Sequence, residues 1–143
     1  MPDPFDLDRF VRAQEHDYAD ALAEVRAGRK ESHWMWYVFP QLAGLGVSPT
    51  ARRYGLTGTA EAAAYLAHPV LGPRLLEIAA AALVVEGGSA HDIFGSPDDL
   101  KLRSCATLFA RVSPPGSVFE QLLAKYFAGE PDGRTLTLLG DAG

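Results

Sequence analysis

"VLGPRLLEIAAAALVVE", residues 70 to 86, contains the longest apolar stretch of the chain. On an α-helix its apolar side chains cover most of the circumference instead of a single face. These side chains include Leu71, Leu75, Ile78, Leu83 and Val84. A helix that is apolar on most sides packs in the middle of a fold. The stretch therefore predicts a central helix, and Gly87 and Gly88 after it are typical of a helix end.

The sequence on both sides of this stretch also has helical periodicity and helix-ending residues. Residues 6 to 27 are predicted to form an amphipathic helix with Asp6 as N-cap, Gly28 as stop, and Glu24 on its solvent face. Ser48 with Pro49, and Ser96 with Pro97, are each predicted to begin a helix, because serine caps a helix and proline fits its first position. In all, helices are predicted over residues 6–27, 32–37, 48–55, 59–67, 70–86, 97–112 and 117–128.

No run of alternating β-branched residues occurs, so the predicted fold class is all-α without a significant sheet. A chain of 143 residues buries enough surface for one core. We therefore expect residues 1–143 to form a single compact domain of six to eight helices. Residues 1–5 and 139–143 are expected to fray.

Composition excludes several classes of protein. Cys105 is the single cysteine, so no internal disulfide can form, and no metal-binding spacing is present. We therefore predict neither a metal site nor a cofactor, and a reducing, cytoplasmic location. The amino terminus carries acidic residues where a secretory signal has basic ones.

Charge and hydropathy bear on the binding partners. The net charge is −5 and the pI is about 5.3, which opposes binding to duplex nucleic acid. The apolar stretch within residues 70–86 is shorter than the roughly 20 residues that span a bilayer. We expect no duplex nucleic acid and no membrane partner, whereas a small anionic metabolite or a protein partner remains open.

"ESHWMWYVFPQLAGLG", residues 31 to 46, concentrates aromatic side chains that would point in most directions if the segment were helical. At least one ring is therefore expected to face a cleft, a loop or a partner. The alternative is that Trp34 and Trp36 are packing residues, since large aromatics dominate small cores. Imidazole groups in general can act as acid or base near neutral pH, so His33 is a candidate acid–base group, or else an ordinary polar residue of the first helical turn.

"SPDDLKLRSCATLF", residues 96 to 109, would place Lys101 and Ser104 on one stripe of a helix. A lysine beside a hydroxyl can neutralise a phosphate, or act as a base or nucleophile. The alternative is a surface Lys101 that pairs with Asp98. Cys105 lies between apolar neighbours and is predicted to behave as a small buried hydrophobe.

Several of these motifs together resemble the bacterial family known as domain of unknown function 1810. The resemblance rests on "DPFDLDRFVRAQ", "GRKESHWMWYVFPQLAGLG", "HPVLGPRLLE", "IFGSPDDLKLRSCATLF" and "KYFAGEPDGRT". It implies a small, largely helical protein and brings no established activity. The family pattern centres on residues that here are His33, Trp34, Trp36, Phe39, Pro40, Gln41, Asp99, Lys101, Ser104, Thr107 and Phe109.

We therefore expect the aromatic segment and the 97–112 helix to pack together around one cleft. His33 and Lys101 are the candidate catalytic residues. The candidate ligand-binding residues are Trp34, Trp36, Gln41, Arg53, Tyr54, Asp99, Ser104 and Thr107. One hypothesis is that the cleft binds or processes a small anionic, ring-containing metabolite such as a nucleotide or an ADP-ribose derivative, and whether this involves catalysis is open. The other is a non-catalytic interaction or regulatory module that uses the aromatic segment as its surface.

Overall fold

The computed structural model describes residues 3–140, which form nine α-helices and no sheet. Five helices have seven or more residues, and the other four have four to six. The helices are α1 Asp8–Arg26, α2 Met35–Val38, α3 Pro49–Tyr54, α4 Thr59–Ala67, α5 Leu71–Val84, α6 Ala90–Phe94, α7 Asp98–Ala110, α8 Val118–Phe127 and α9 Gly133–Leu138. The all-α class is confirmed, and the expected six to eight helices is slightly too low because short turns close into helices of their own.

Helix α5 lies at the centre, packed against α1, α4 and α8. Its side chains at Leu71, Leu75 and Ile78 are fully buried, as the apolar stretch predicts. One stripe nevertheless remains exposed, with Leu76 and Val84 open to solvent. The helix is therefore central but not enclosed on every side.

Helix α7 is the second core helix and contacts α4, α6, α8 and α9. Every residue from Ser104 to Phe109 is buried. The Phe109 ring stacks on Phe119 of α8, with ring centroids 5.5 Å apart. Cys105 is buried in this helix, and burial raises the pKa of its thiol, so it has the environment of a small hydrophobe.

Two helix starts differ from the sequence-based prediction. Helix α1 begins with Leu7 at the N-cap, and the Asp3 carboxylate, not that of Asp6, accepts hydrogen bonds from the Leu7 and Asp8 amides at 2.8 and 3.0 Å. Helix α7 begins at Asp98, and no side chain caps it. Both differences arise because a cap depends on where the preceding loop places its side chain, which residue identity alone does not specify.

The predicted start of α3 is confirmed. The Ser48 hydroxyl accepts the Ala51 amide at 3.1 Å and Pro49 occupies the first helical position. Residues 41–43 then meet Leu56 in an isolated parallel bridge, in which the Leu56 amide donates to the Gln41 carbonyl at 2.9 Å. This bridge fixes the backbone that follows the aromatic segment.

The two ends of the chain are described only in part. The expected fraying at 1–5 and 139–143 includes residues 1–2 and 141–143, which lie outside the described residues.

Between residues 3 and 140, no single helix is long and apolar enough to cross a membrane. Helices α4 and α5 would satisfy length and composition only as a pair bent by 92°.

Candidate functional site

The loop after α1 is held in place by the carboxylate of Glu24. Glu24 accepts hydrogen bonds from the Glu31 and Ser32 amides at 2.7 and 2.9 Å, from the Ser32 hydroxyl at 2.6 Å, and from the Trp34 indole nitrogen at 3.0 Å. Burial raises the pKa of Glu24, but these hydrogen bonds outweigh it and lower the pKa to about 2. The expectation that Glu24 simply faces solvent is therefore wrong: it organises the segment that contains His33 and the tryptophans.

The two tryptophans have different environments. Trp34 is 1% exposed and packs against Phe39 and Phe94. Trp36 is only partly buried and faces α7. Trp34 is thus mainly a packing residue beneath the site, whereas Trp36 offers ring surface to it.

Two lysines meet one carboxylate where this loop touches α7. Lys30 Nζ lies 2.9 Å from Asp98 Oδ2, and Lys101 Nζ lies 2.9 Å from Asp98 Oδ1. Only 7% of the Lys30 side chain is exposed. Burial raises the pKa of Asp98, but the hydrogen bonds and charges of Lys101 and Lys30 outweigh it and lower the pKa below its ordinary value. Two cations share one anion, so the cluster carries an excess positive charge.

Each lysine also lies over a tryptophan ring. Lys30 Nζ is 5.0 Å from the centroid of the Trp34 ring and Lys101 Nζ is 4.2 Å from that of Trp36. A cation over an indole face is attracted by the ring quadrupole. The rings and Asp98 together therefore hold both ammonium groups in defined positions.

These groups border a cavity of about 330 Å³ that we call the lysine cavity. Its defining residues are Lys30, His33, Trp34, Trp36, Tyr37, Asp98 and Lys101. The His33 side chain is exposed at its wall. The Tyr37 hydroxyl donates to the Asp17 carboxylate, which fixes the neighbouring wall, and burial together with Asp17 raises the pKa of Tyr37.

A second cavity of about 320 Å³ adjoins the first, and we call it the glutamine cavity. Its defining residues are Trp36, Gln41, Leu100, Lys101, Ser104 and Arg134. Trp36 and Lys101 border both cavities. The five residues that the sequence placed around one cleft, His33, Trp36, Gln41, Lys101 and Ser104, thus border two cavities that share a wall.

Four other candidate residues do not line either cavity. Arg53 is exposed on α3 with its guanidinium beside the Tyr54 ring, and Tyr54 packs against Tyr37 and Phe10. Asp99 accepts the Leu100 amide and faces His91. Thr107 is buried, where its hydroxyl donates to the Arg103 carbonyl and accepts the Asp132 amide. Thr107 therefore ties α7 to the start of α9.

Sequence reasoning missed Lys30 and Arg134, and it treated Asp98 only as a surface partner of Lys101. Lys30 follows Gly28 and Arg29 in a short polar loop, which is a pattern typical of solvated residues. Its role comes from the approach of α7, so no local signal could have revealed it. Arg134 is exposed at the start of α9 and reaches the cavity only through the turn at Asp132.

Metal chemistry has no evident site in the described part of the chain. Between residues 3 and 140, no group of three or more histidine, cysteine, aspartate or glutamate side chains could hold an ion. The functional groups that line the two cavities instead include ammonium, guanidinium, imidazole and carboxamide groups beside an indole ring.

Comparison with known proteins agrees with the motifs. A family model described as "protein of unknown function (DUF1810)" matches residues 4–139. A similar solved structure is that of the conserved hypothetical protein Rv1873 from Mycobacterium tuberculosis, with 56% sequence identity and a TM-score of 0.94. The match covers 96% of this chain and 99% of that one. No curated protein matches. Since the family model spans nearly the whole chain, this protein belongs to the DUF1810 family of proteins of unknown function.

Proposed function

We propose that the protein binds a small anionic, ring-containing metabolite, with the anionic group in the lysine cavity. The observation that carries the proposal is the convergence of Lys30 and Lys101 on Asp98 at a cavity wall. A structural ion pair needs one cation for one carboxylate. The second ammonium leaves an excess charge that a phosphate or carboxylate of the ligand would neutralise.

Trp36 supports the ring-containing part of the proposal. It is the partly exposed aromatic residue that both cavities share, and flat rings pack favourably on indole faces. His33, at the same wall as Lys101, is the residue we propose for proton transfer if the ligand is a substrate.

No observation favours the alternative of an interaction module that uses the aromatic segment as its surface. Trp34, Val38 and Phe39 of that segment are buried, and Trp36 and Tyr37 are only partly exposed. Little apolar area would then be available to a partner protein.

The test uses inorganic pyrophosphate as probe in calorimetric titration. Loss of a hydrogen bond to a charged group is worth about 1.5–3 kcal/mol, so Lys101→Met should weaken binding roughly 10-fold to 150-fold. Arg29→Met is the matched control, because it removes the same charge from an exposed residue outside both cavities. Equal affinities of both variants and the unmodified protein for pyrophosphate, or no binding to any of them, would contradict the proposal.

Asp98→Asn provides a second arm with the opposite sign. The carboxylate competes with the ligand anion for the two lysines, so its removal should tighten pyrophosphate binding while lowering the melting temperature of the free protein. Pyrophosphate should then raise the melting temperature of Asp98→Asn by more than that of the unmodified protein. A smaller rise in the melting temperature of Asp98→Asn on adding pyrophosphate would mean that Asp98 serves only to pair the lysines.

A further inference from the structure

We infer that the glutamine cavity is a second subsite of the same ligand, which accepts an uncharged ring whose edge carries a hydrogen-bond acceptor, such as a ring carbonyl. The inference rests on the proposed function, because it assigns the anionic end of the ligand to the lysine cavity. It goes further in naming the group that Gln41 recognises.

The first support is the state of the Gln41 side chain. Gln41 is 5% exposed, and its Nε2 is buried without a hydrogen-bond partner among the described residues. Buried polar groups in native proteins are almost always paired, and leaving a donor unpaired is unfavourable. Gln41 lines the cavity, so a rotation of its carboxamide would present this donor to a ligand acceptor there.

The second support is that the backbone of Gln41 is held in place. The backbone carbonyl of Gln41 accepts the Leu56 amide at 2.9 Å, and the Ala43 amide donates to the Leu56 backbone carbonyl at 2.7 Å. These two bonds fix the backbone on both sides of Leu42. The carboxamide is thus presented by a rigid segment, as preorganised binding requires.

The third support is the composition of the walls. Leu45, Pro97, Leu100 and Trp36 supply apolar surface for a ring. At the polar side, Arg134 and Lys101 are donors, as is Gln41 Nε2. The acid of this cavity, Asp132, accepts the Thr135 amide and hydroxyl through the same oxygen, Oδ2, at 2.9 and 2.7 Å, so one carboxylate stands against three donor side chains. Donors therefore prevail, and they select a ring with an acceptor edge.

The shared wall connects the two subsites. Lys101 borders both cavities and its ammonium lies over Trp36, which also borders both. An anionic group beside Lys30 and Lys101 and a ring beside Gln41 would lie on the two sides of one lysine. A nucleoside monophosphate has this arrangement of groups.

The experiment compares ribose 5-phosphate, which lacks the ring, with the four common nucleoside monophosphates in calorimetric titrations. In the unmodified protein at least one nucleotide should bind more tightly than ribose 5-phosphate. Gln41→Leu should weaken that nucleotide roughly threefold to tenfold, as expected for one neutral hydrogen bond, and leave ribose 5-phosphate unchanged. Gln41→Met keeps the length and the neutral charge of the side chain but removes the donor, so it should have the same effect even if the leucine variant folds poorly.

Gln121→Leu is the matched control, because it makes the same change at an exposed position of α8, and it should alter neither affinity. If no nucleotide binds better than ribose 5-phosphate, the inference is overturned while the proposed function stands. Equal weakening of ribose 5-phosphate and nucleotide by both Gln41 variants would also overturn it, because Gln41 would then act by holding the loop. If no anionic probe binds the unmodified protein, the proposed function fails and the inference fails with it.

Discussion

Single carboxylates organise the site at the level of individual residues. Glu24 binds four donors from the loop that follows α1, and Asp98 joins that loop to α7 through Lys30 and Lys101. Both carboxylates have a pKa below the ordinary value because their charged forms are hydrogen-bonded. The position of Trp36 and His33 therefore depends on two acids that are themselves ionised at neutral pH.

The lowered pKa of Glu24 predicts an acid-sensitive contribution to stability. The pKa is about 2 in the folded protein against an ordinary value of 4.5. The folded state thus binds fewer protons than the unfolded state between these values. The stability that Glu24 contributes is complete above pH 4.5 and is lost as the pH falls through about 2.

Glu24→Gln tests this contribution. The amide keeps the shape but not the charge, so the variant should be less stable by about 1 kcal/mol at pH 7. The difference from the unmodified protein should be smaller at pH 3 in urea denaturation experiments. Glu15→Gln is an exposed change on the same helix. Its difference in stability from the unmodified protein should not become smaller at pH 3. A difference that is the same at both pH values would mean that the charge of Glu24 is not what holds the loop.

At the level of elements, the sharp corner between α4 and α5 depends on close backbone approach. The two helices meet at 92°, and a Cβ added to Gly72 would lie 2.0 Å from the Leu66 carbonyl oxygen. At the other end of α5, Lys125 and Tyr126 of α8 donate to the carbonyls of Leu83, Val85 and Ala82. The ends of the central helix are therefore fixed by its neighbours as well as by its own sequence.

Gly72→Ala should destabilise the protein although alanine is the better helix former by about 1 kcal/mol. The added methyl group would collide with backbone, which cannot rotate away as a side chain can. Overpacking of this kind costs about 1–3 kcal/mol, measurable by chemical denaturation. Gly133→Ala is the control, because a Cβ there meets nothing within 4 Å, and it should be neutral or slightly stabilising. A stabilised Gly72→Ala would show that α4 and α5 can separate at this corner.

For the whole molecule, α5 and α7 form the interior, and the two cavities lie where the loop before α2, the start of α7 and the start of α9 meet. The free energy needed to open each helix locally is accordingly expected to differ between helices. The core helices bury most of their apolar side chains, whereas α9 buries only Thr135.

Hydrogen exchange should report this unevenness. The amides of α5 and α7 should exchange most slowly, through global unfolding, and those of α9 and residues 43–50 most rapidly, through local opening. Mass spectrometry of peptic fragments resolves these segments. Equal protection of α9 and α5 would mean that α9 is part of the same cooperative unit as the core.

The sequence by itself determined the helical class, the central place of α5, the capped start of α3 and the family. It also predicted that His33, Trp36, Gln41, Lys101 and Ser104 border one cleft, whereas they are divided between two adjoining cavities that share Trp36 and Lys101. These features could be predicted because helical periodicity and capping involve residues within about four positions of each other, and because the family motifs lie in continuous segments.

Only the tertiary structure decided that Lys30 joins Lys101 at Asp98, that Glu24 binds the loop, and that Gln41 keeps a buried donor without a partner among the described residues. The spacing of three residues predicts the pairing of Asp98 with Lys101, but not that Asp98 also contacts Lys30 or that Asp99 turns toward His91. The physical reason is that these contacts join side chains far apart along the chain. Their partners are set by how α1, α7 and α9 pack, and packing depends on the whole core rather than on any local pattern.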